Sequence, residues 1–336
     1  MNIINFLLGA SLKKAGRRPS LTASPHELEQ FKAHYEQHIA PLSRLFEKDR
    51  ITCLTTLRKR IYISLVIVAV MLLASLFFGA KGNLDLPWPL LLLPVLVLSW
   101  WCSRPVKDYK FNVKHIVFPH IFSYFGEDFS FSPRQGMSLA HLKLSKLLPD
   151  YDDAHFDDFV QGSHKGVAIT INELKLTKEV RRDKRTETQT QFQGVMVHLG
   201  SHKDFKGHTV VIKNRGGLVN FFSGSFRGLS RVKLEDPRFE KQFDVFSTDQ
   251  IEARYLLTVS FMERLQQLAK LFNNKIQCAF YADSLLIMLA SRENRFELGS
   301  IFNPATFEYE FSQINREMKQ LFAIIEVLKL DVNIGL

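Results

Sequence analysis

Residues 61–80, IYISLVIVAVMLLASLFFGA, hold no charged side chain in 20 positions, and no other feature constrains this chain as strongly. An α-helix of that length spans about 30 Å, the thickness of a bilayer's hydrocarbon core. A helix that is apolar on every face has no polar side to turn to water, so the run is expected to cross a membrane. A second run, residues 86–102 (LPWPLLLLPVLVLSWWC), covers about 25 Å. Pro87 and Pro89 fall at its start, where a missing N–H costs little. Pro94 lies inside and should kink the helix, which membrane spans tolerate. Trp88 stands at one end and Trp100 and Trp101 at the other, the arrangement of an interfacial aromatic belt. Only KGNLD (81–85) separates the runs, so an antiparallel hairpin is expected.

Charge sets its orientation. Arg58, Lys59 and Arg60 precede the hairpin, Arg104, Lys107 and Lys110 follow it, and the connecting loop is neutral. The positive-inside rule therefore puts both termini in the cytoplasm. Residues 1–60 carry 11 Lys/Arg against 5 Asp/Glu, and residues 103–336 carry 32 against 28. A basic segment beside a span is what an anionic leaflet attracts, so the lipid bilayer is the expected partner of this charge. Nucleic acid would also explain a basic chain, but no nucleic-acid motif accompanies the lysines and arginines, and none is expected to bind.

Ile3–Leu8 is too short to span, and its positive charges, Lys13, Lys14, Arg17 and Arg18, come after it, the reverse of a signal peptide. A surface-lying helix and a disordered basic tail are both open there. The three cysteines, Cys53, Cys102 and Cys278, form no CxxC pair, so neither a zinc ribbon nor a disulfide framework is expected.

Outside the hairpin, Ser24, Pro25 and Glu27 open a helix with apolar residues at Leu28, Phe31, Tyr35 and Ile39. Pro41 interrupts it, and a second helix runs from Leu42 through Arg60 into the membrane. Val106–Phe125 reads as a continuation helix ended by Gly126. Strands are expected at 166–176, 193–199, 209–213, 275–281 and 284–290, with turns at Gly162–Gly166, Gly207 and Ala282–Asp283. Lys178–Gln191 reads as a solvated charged loop, with a phosphate- or lipid-binding patch as the sharper alternative. Capping boxes are expected at Ser247–Gln250 and Ser260–Glu263, and a long amphipathic helix at Phe307–Leu330.

Candidate chemistry is sparse. His34 and His38 stand at a metal-capable i, i+4 spacing, but Tyr35 occupies the place where the metalloprotease pattern needs Glu. Asp150–Asp158 is dense in acids and fails the EF-hand register at Ala154, so a solvated linker is the simpler reading. Residues 216–228 (GGLVNFFSGSFRG), with Arg227 inside and Arg215 before it, could cradle an anion, yet no phosphate-binding loop or GxSxG elbow is present. Asp249, Glu252 and Arg254 lie close together on one helix and complete a candidate ligand-binding set with Arg215 and Arg227. No catalytic residue, metal site or cofactor is expected.

The segment FEKQFDVFSTDQIEARYLLT (239–258) resembles the hallmark segment of the bacterial DUF3137 family. FQGVMVHLGSHKDFKGHTVVIKN (192–214) is similar to the family's paired strands around a Lys-x-Phe-x-Gly turn, here Lys203, Phe205 and Gly207. The strand holding Ile171, Asn172 and Glu173 resembles the one that opens its sheet. With the hairpin, the resemblance covers about residues 25–330. Val259 departs from it where proline would follow Thr258. The resemblance implies a bacterial inner-membrane protein, supplies no activity, and points to membrane proteins of the LemA family as partners.

The expected fold is α+β, a two-helix transmembrane hairpin with N-terminal helices and a cytosolic mixed α+β domain. Its parts are 1–60, a basic cytosolic helical segment; 61–102, the hairpin (61–80 and 86–102); and 103–336, an α+β domain with a stalk helix and a C-terminal helix. A membrane-anchored interaction or scaffold module is the leading expectation, and an enzyme acting at the membrane surface on a lipid or nucleotide is the alternative.

Overall fold

The computed structural model describes residue 6 and residues 25–80, 89–182, 185–214 and 228–330. These form two compact units, one comprising residues 1–121 and 298–312 and the other residues 122–297 and 313–336. The 81–85 loop, Trp88, and the N-terminal segment apart from Phe6 lie outside the described residues.

The first unit is helical. Helix α1 (Pro25–His34) leads through a π-helical turn (Tyr35–Ile39) into α2 (Ala40–Ala80), so the chain is helical from 25 to 80. Sequence placed an interruption at Pro41. Proline has no N–H for the carbonyl one turn back, and its ring crowds that carbonyl. The π turn absorbs the misfit, with Ala40 N–H donating to Tyr35 O. Helix α3 (Pro89–Phe122) follows, with Pro94, Pro105 and Pro119 inside it. Phe46 meets Tyr109 at 6.3 Å, while further along α2 Arg60 Nη1 donates to Trp101 O at 2.6 Å. Contacts that advance along α2 as they retreat along α3 make the pair antiparallel.

A buried guanidinium here is held by a half-buried carboxylate. Arg50 is nearly inaccessible; it donates to both Glu47 oxygens (2.8 and 2.6 Å) and, through Nη1, to Ile301 O at 3.0 Å. Glu47 Oε2 also accepts from Ala305 N at 2.9 Å. A buried charge is tolerated only when paired and hydrogen-bonded, and this fork ties residues 301–305 to α2.

In contrast, α2 beyond residue 61 and the start of α3 are apolar and uncovered. Leu65, Val66, Val70, Leu73, Leu76 and Phe77 on α2, and Leu93, Leu96 and Val97 on α3, are exposed. Among the described residues, one helical stretch, Glu29–Phe77, is long and apolar enough to cross a membrane, with a mean hydropathy of 2.3 in its most apolar window.

The second unit is an antiparallel sheet with helices packed on it. Its strands are β1 (Ser130–Pro133), β2 (Asp153–His164), β3 (Val167–Arg182), β4 (Arg185–Lys213), β5 (Ser230–Val232), β6 (Phe243–Ser247) and β7 (Ile276–Ala290). They pair in the order β1-β2-β3-β4-β6-β5, with β7 also on β4. The β2–β3 turn uses positive φ at Lys165 (51°) and Gly166 (80°), as a two-residue hairpin of matching twist requires. Strand β7 folds back on itself at the exposed Ala282–Asp283. A straight strand of this length would hold its ends about 45 Å apart, yet Ala290 N donates to Lys275 O at 3.1 Å. Strand β4 likewise shifts register between Gly200 and Thr209, around Phe205 and Gly207.

Two linker readings are corrected. Residues 178–182 and 185–191 are not a loop: β3 and β4 continue as a ribbon in register from Lys178↔Gln189 to Arg182↔Arg185. The acidic run is not a solvated linker either, because β2 begins at Asp153 and a bulge between Phe156 and Phe159 turns Asp158 fully inward.

One face of the sheet buries Leu174, Leu176, Phe192, Met196, Val210, Ile212, Tyr281, Leu286 and Met288 beneath helix α4 (Leu139–Leu144), through Leu142 and the following Leu147 and Leu148. The remaining helices are α5 (Pro237–Gln242), α6 (Gln250–Leu256), α7 (Val259–Leu271) and α8 (Glu308–Leu328). Phe261 of α7 meets Phe280, which in turn meets Phe205. The apolar positions read from the periodicity of α8, Phe311, Ile314, Met318, Leu321, Ile325 and Leu328, are all buried.

Candidate functional site

The α6 region is built by backbone satisfaction. The first N–H groups of a helix have no partner within it, and Asp249 supplies one: its Oδ1 accepts from Ile251 N (2.8 Å) and Glu252 N (3.0 Å). Asp249 is thus the N-cap, where the sequence suggested a box opened by Ser247. Ser247 closes β6, its hydroxyl buried against Thr209 Oγ1 at 3.0 Å. For α7 the cap is Thr258, whose Oγ1 accepts from Phe261 N, and not Ser260. Val259 opens α7, a position at which proline or valine is equally free of hydrogen-bonding duty.

Glu252 does not face an open site. Its two carboxylate oxygens accept from Lys206 N (2.8 Å) and Gly207 N (2.7 Å), clasping the turn in β4. Thr248 Oγ1 accepts from His208 N at 2.9 Å in the next position. Gly207 leaves room for this clasp: an added Cβ would lie 2.7 Å from Thr248 Oγ1 and 2.9 Å from Glu252 Oε2, so those side chains would have to shift. Two segments that carry the family resemblance therefore bind each other, one through carboxylate and hydroxyl oxygens and the other through bare amides.

Of the candidate ligand set, Asp249 and Glu252 are brought together, but both are committed to the backbone. Arg254 is exposed, with Nε 3.5 Å from Lys233 O. It lines a cavity of about 170 Å³ with Leu234, Glu235, Leu257, Val259 and Met262. Arg215 and Arg227 lie outside the described residues. Nearby Arg231 donates to the buried Asp244 at 2.6 Å. Ile251 (81%) and Tyr255 (64%) on α6 and Val259 (56%) at the start of α7 are exposed apolar residues.

Basic residues and tryptophans of α2 and α3 form two pairs. Arg60 lies over Trp101 and Arg104 over Trp100, each guanidinium 4.8 Å from the ring centre. Arg58 stacks on Phe6 at 4.9 Å, and Lys59 is exposed.

His34 and His38 are 4.7 Å apart between ring centres, and His34 Nε2 sits 2.7 Å from His120 O. Burial pushes the His34 pKa down, against the pull of that carbonyl.

A carboxylate group that spacing did not reveal lies at the β2 bulge. Asp157, Asp158 and Glu173 place oxygens within 4.8 Å of one another. Asn294 Nδ2 donates to Asp157 Oδ2 (3.0 Å) and Arg295 N to Glu173 Oε1 (3.0 Å), so the acids anchor the segment after β7. Asn172, fully buried, does the same for residues 135–137: its Nδ2 donates to Gln135 O and Asp158 O, and its Oδ1 accepts from Met137 N. Beside them, burial pushes the Glu317 carboxyl up to about 7, against a hydrogen bond from Gln313 and the charges of Arg295 and Arg316. Three carboxylates this close could hold a hard cation.

A family model described as a protein of unknown function (DUF3137) matches residues 190–330. No curated protein matches. A solved structure, of the mycobacterial trehalose monomycolate transport factor A, TtfA, is similar at 12% identity over 60% of this chain and 88% of that one. Its TM-score of 0.32 is too low to carry an argument. Over the family-matched stretch, which contains both the β4 turn and the α5–β6–α6 segment, the chain is similar to the DUF3137 family.

Proposed function

We propose that this protein is a membrane-anchored binding module: α2 and α3 hold it in a bilayer as a two-helix hairpin, and its sheet unit docks a protein partner. The observation that carries the anchoring is the uncovered apolar surface of residues 62–77 and 93–100. Apolar surface of that extent is stable only in lipid or against another chain. The Arg60–Trp101 and Arg104–Trp100 pairs suit the headgroup level, where amphipathic rings and snorkelling guanidinium groups reside. Basic flanks favour a bacterial inner membrane with both termini in the cytoplasm.

The binding role is supported by α6. Its acids are occupied by the fold, and it presents Ile251 and Tyr255 outward, next to Val259 of α7 and a cavity bordered by Arg254. That surface suits an amphipathic helix bearing one apolar anchor and an acidic residue. A membrane protein of the LemA family is the first partner to test. The competing reading, an enzyme acting on a lipid or nucleotide, would need Asp249 and Glu252 free for chemistry, and backbone amides hold both.

The test is crosslinking in intact cells followed by purification of the full chain from the membrane fraction. A specific copurifying protein lost in Ile251→Glu supports the reading. If the chain leaves the membrane on alkaline extraction, the anchor is wrong. Recovery of the same proteins with wild type and Ile251→Glu would reject the docking surface. Leu73→Arg, at a site 67% exposed, should impair insertion by about 2.5–3.5 kcal/mol.

A further inference from the structure

On the sheet face covered by α4, four polar rings converge that no role above uses. Strand β4 supplies His198 and His208, the two sides of its fold-back; β7 supplies Tyr281, and α4 supplies His141. Ring centres lie 5.4 Å apart for His141 and His198, 6.1 Å for His141 and Tyr281, and 6.5 Å for His198 and Tyr281. His208 stacks on Tyr281 at 6.2 Å, its backbone pinned by Thr248.

The cluster leaves two buried polar atoms unsatisfied. Tyr281 is 1% exposed, and its hydroxyl has no hydrogen-bond partner among the described residues; neither has His198 Nε2. Buried polar atoms are costly to leave unsatisfied, and groups of this kind call for a partner the fold does not itself provide. Burial also pushes His198 down from its ordinary pKa, helped by His141 and opposed by Asp283, so the ring is neutral with a lone pair available near pH 7. His141 is exposed, which leaves a way in.

We propose that His141, His198 and Tyr281 form a binding site for one divalent transition-metal ion of the zinc class. The spacing fits such an ion. Metal–nitrogen bonds of about 2.0–2.1 Å in a tetrahedral shell set two imidazole centres about 5 Å apart, and an imidazole and a phenol centre about 6.5 Å apart. On binding, the Tyr281 O–H bond breaks, its proton leaves to solvent and its oxygen bonds the metal. The ion ties α4 to β4 and β7. This assignment is independent of the membrane reading.

The test uses the full chain in detergent micelles, tag removed and stripped with chelator, titrated with Zn²⁺ by calorimetry and with Co²⁺ by absorption. One ion per chain is expected, with a tetrahedral Co²⁺ spectrum, a tyrosinate band and a higher melting temperature. His141→Gln and His198→Gln should each weaken binding at least about tenfold, and Tyr281→Phe should abolish the tyrosinate band. His141 is exposed, so His141→Gln alone decides the matter if His198→Gln does not fold. Stoichiometry unchanged in His141→Gln, or lost instead in His34→Gln/His38→Gln or Asp157→Asn, would overturn the assignment.

Discussion

The sheet unit treats its polar side chains in two opposite ways. Around α6, Asp249, Glu252, Ser247 and Thr248 are each matched to amides or hydroxyls, so the chemistry of that helix is used up in holding the β4 turn. Under α4, the Tyr281 hydroxyl and His198 Nε2 are buried with no hydrogen-bond partner among the described residues. The first arrangement is what a fold needs; the second is what a fold tolerates for another purpose. A helix of closely spaced acids can therefore commit them to the backbone, while rings drawn from three elements leave hydrogen-bonding atoms unused.

Replacing residues on the two sides should move stability in opposite directions. Glu252→Ala should have the largest effect. It leaves two amides without a charged acceptor, and a loss of about 2–3 kcal/mol is expected by denaturant unfolding of the full chain. Less than half of that would mean water replaces the carboxylate and the clasp is superficial. Asp249→Ala should cost about 1 kcal/mol, the usual penalty for losing an N-cap. Tyr281→Phe should instead be neutral or stabilising by up to about 1 kcal/mol in the metal-free protein, because it removes a hydroxyl that burial penalises. A clear loss would show that the hydroxyl has a partner and would erase the contrast.

The smallest effect concerns Glu317. Its carboxyl titrates at about 7 in the folded chain against an ordinary 4.5. Between those pH values the folded state holds a proton that the unfolded state has released. Stability should therefore fall as pH rises from about 4.5 to 7 and level off above, moderated by the partial exposure of the group. Glu317→Gln should lose this slope, as followed by melting temperature against pH; parallel profiles would rule out the raised pKa.

How legible these features were depended on the range of the interactions behind them. The uncharged run at 61–80, the helix of residues 308–328 and the turn at Lys165–Gly166 rest on local periodicity or a single dihedral requirement, which sequence states directly. The charged ribbon at 178–182 and 185–191 was read as a loop because it has almost no apolar alternation, and its pairing comes from register inherited from the buried part of β3 and β4. Asp158 was read as solvated because a bulge reverses the inward face after Phe156. Asp249 and Glu252 stood out by spacing, but their meaning depended on amides some 45 residues earlier. His141, His198 and Tyr281 carry no spacing signature at all, since the fold-backs of β4 and β7 bring them together.

Those fold-backs also set an order of events. Strand β4 pairs with β7 across gaps such as Gly194 to Ala290, and closing so long a loop makes the sheet slow to form. Synthesis at 5–20 residues per second separates residue 80 from residue 290 by roughly 10–40 s. During that interval the apolar helices are complete while the sheet still lacks its last strand. The larger unit would therefore complete its sheet after the long apolar helices have been made. Unpaired edges of β4 would then be most exposed to one another while the chain is being made, and the charged ribbon beyond the sheet, with its lysines and arginines, is well placed to keep such encounters brief.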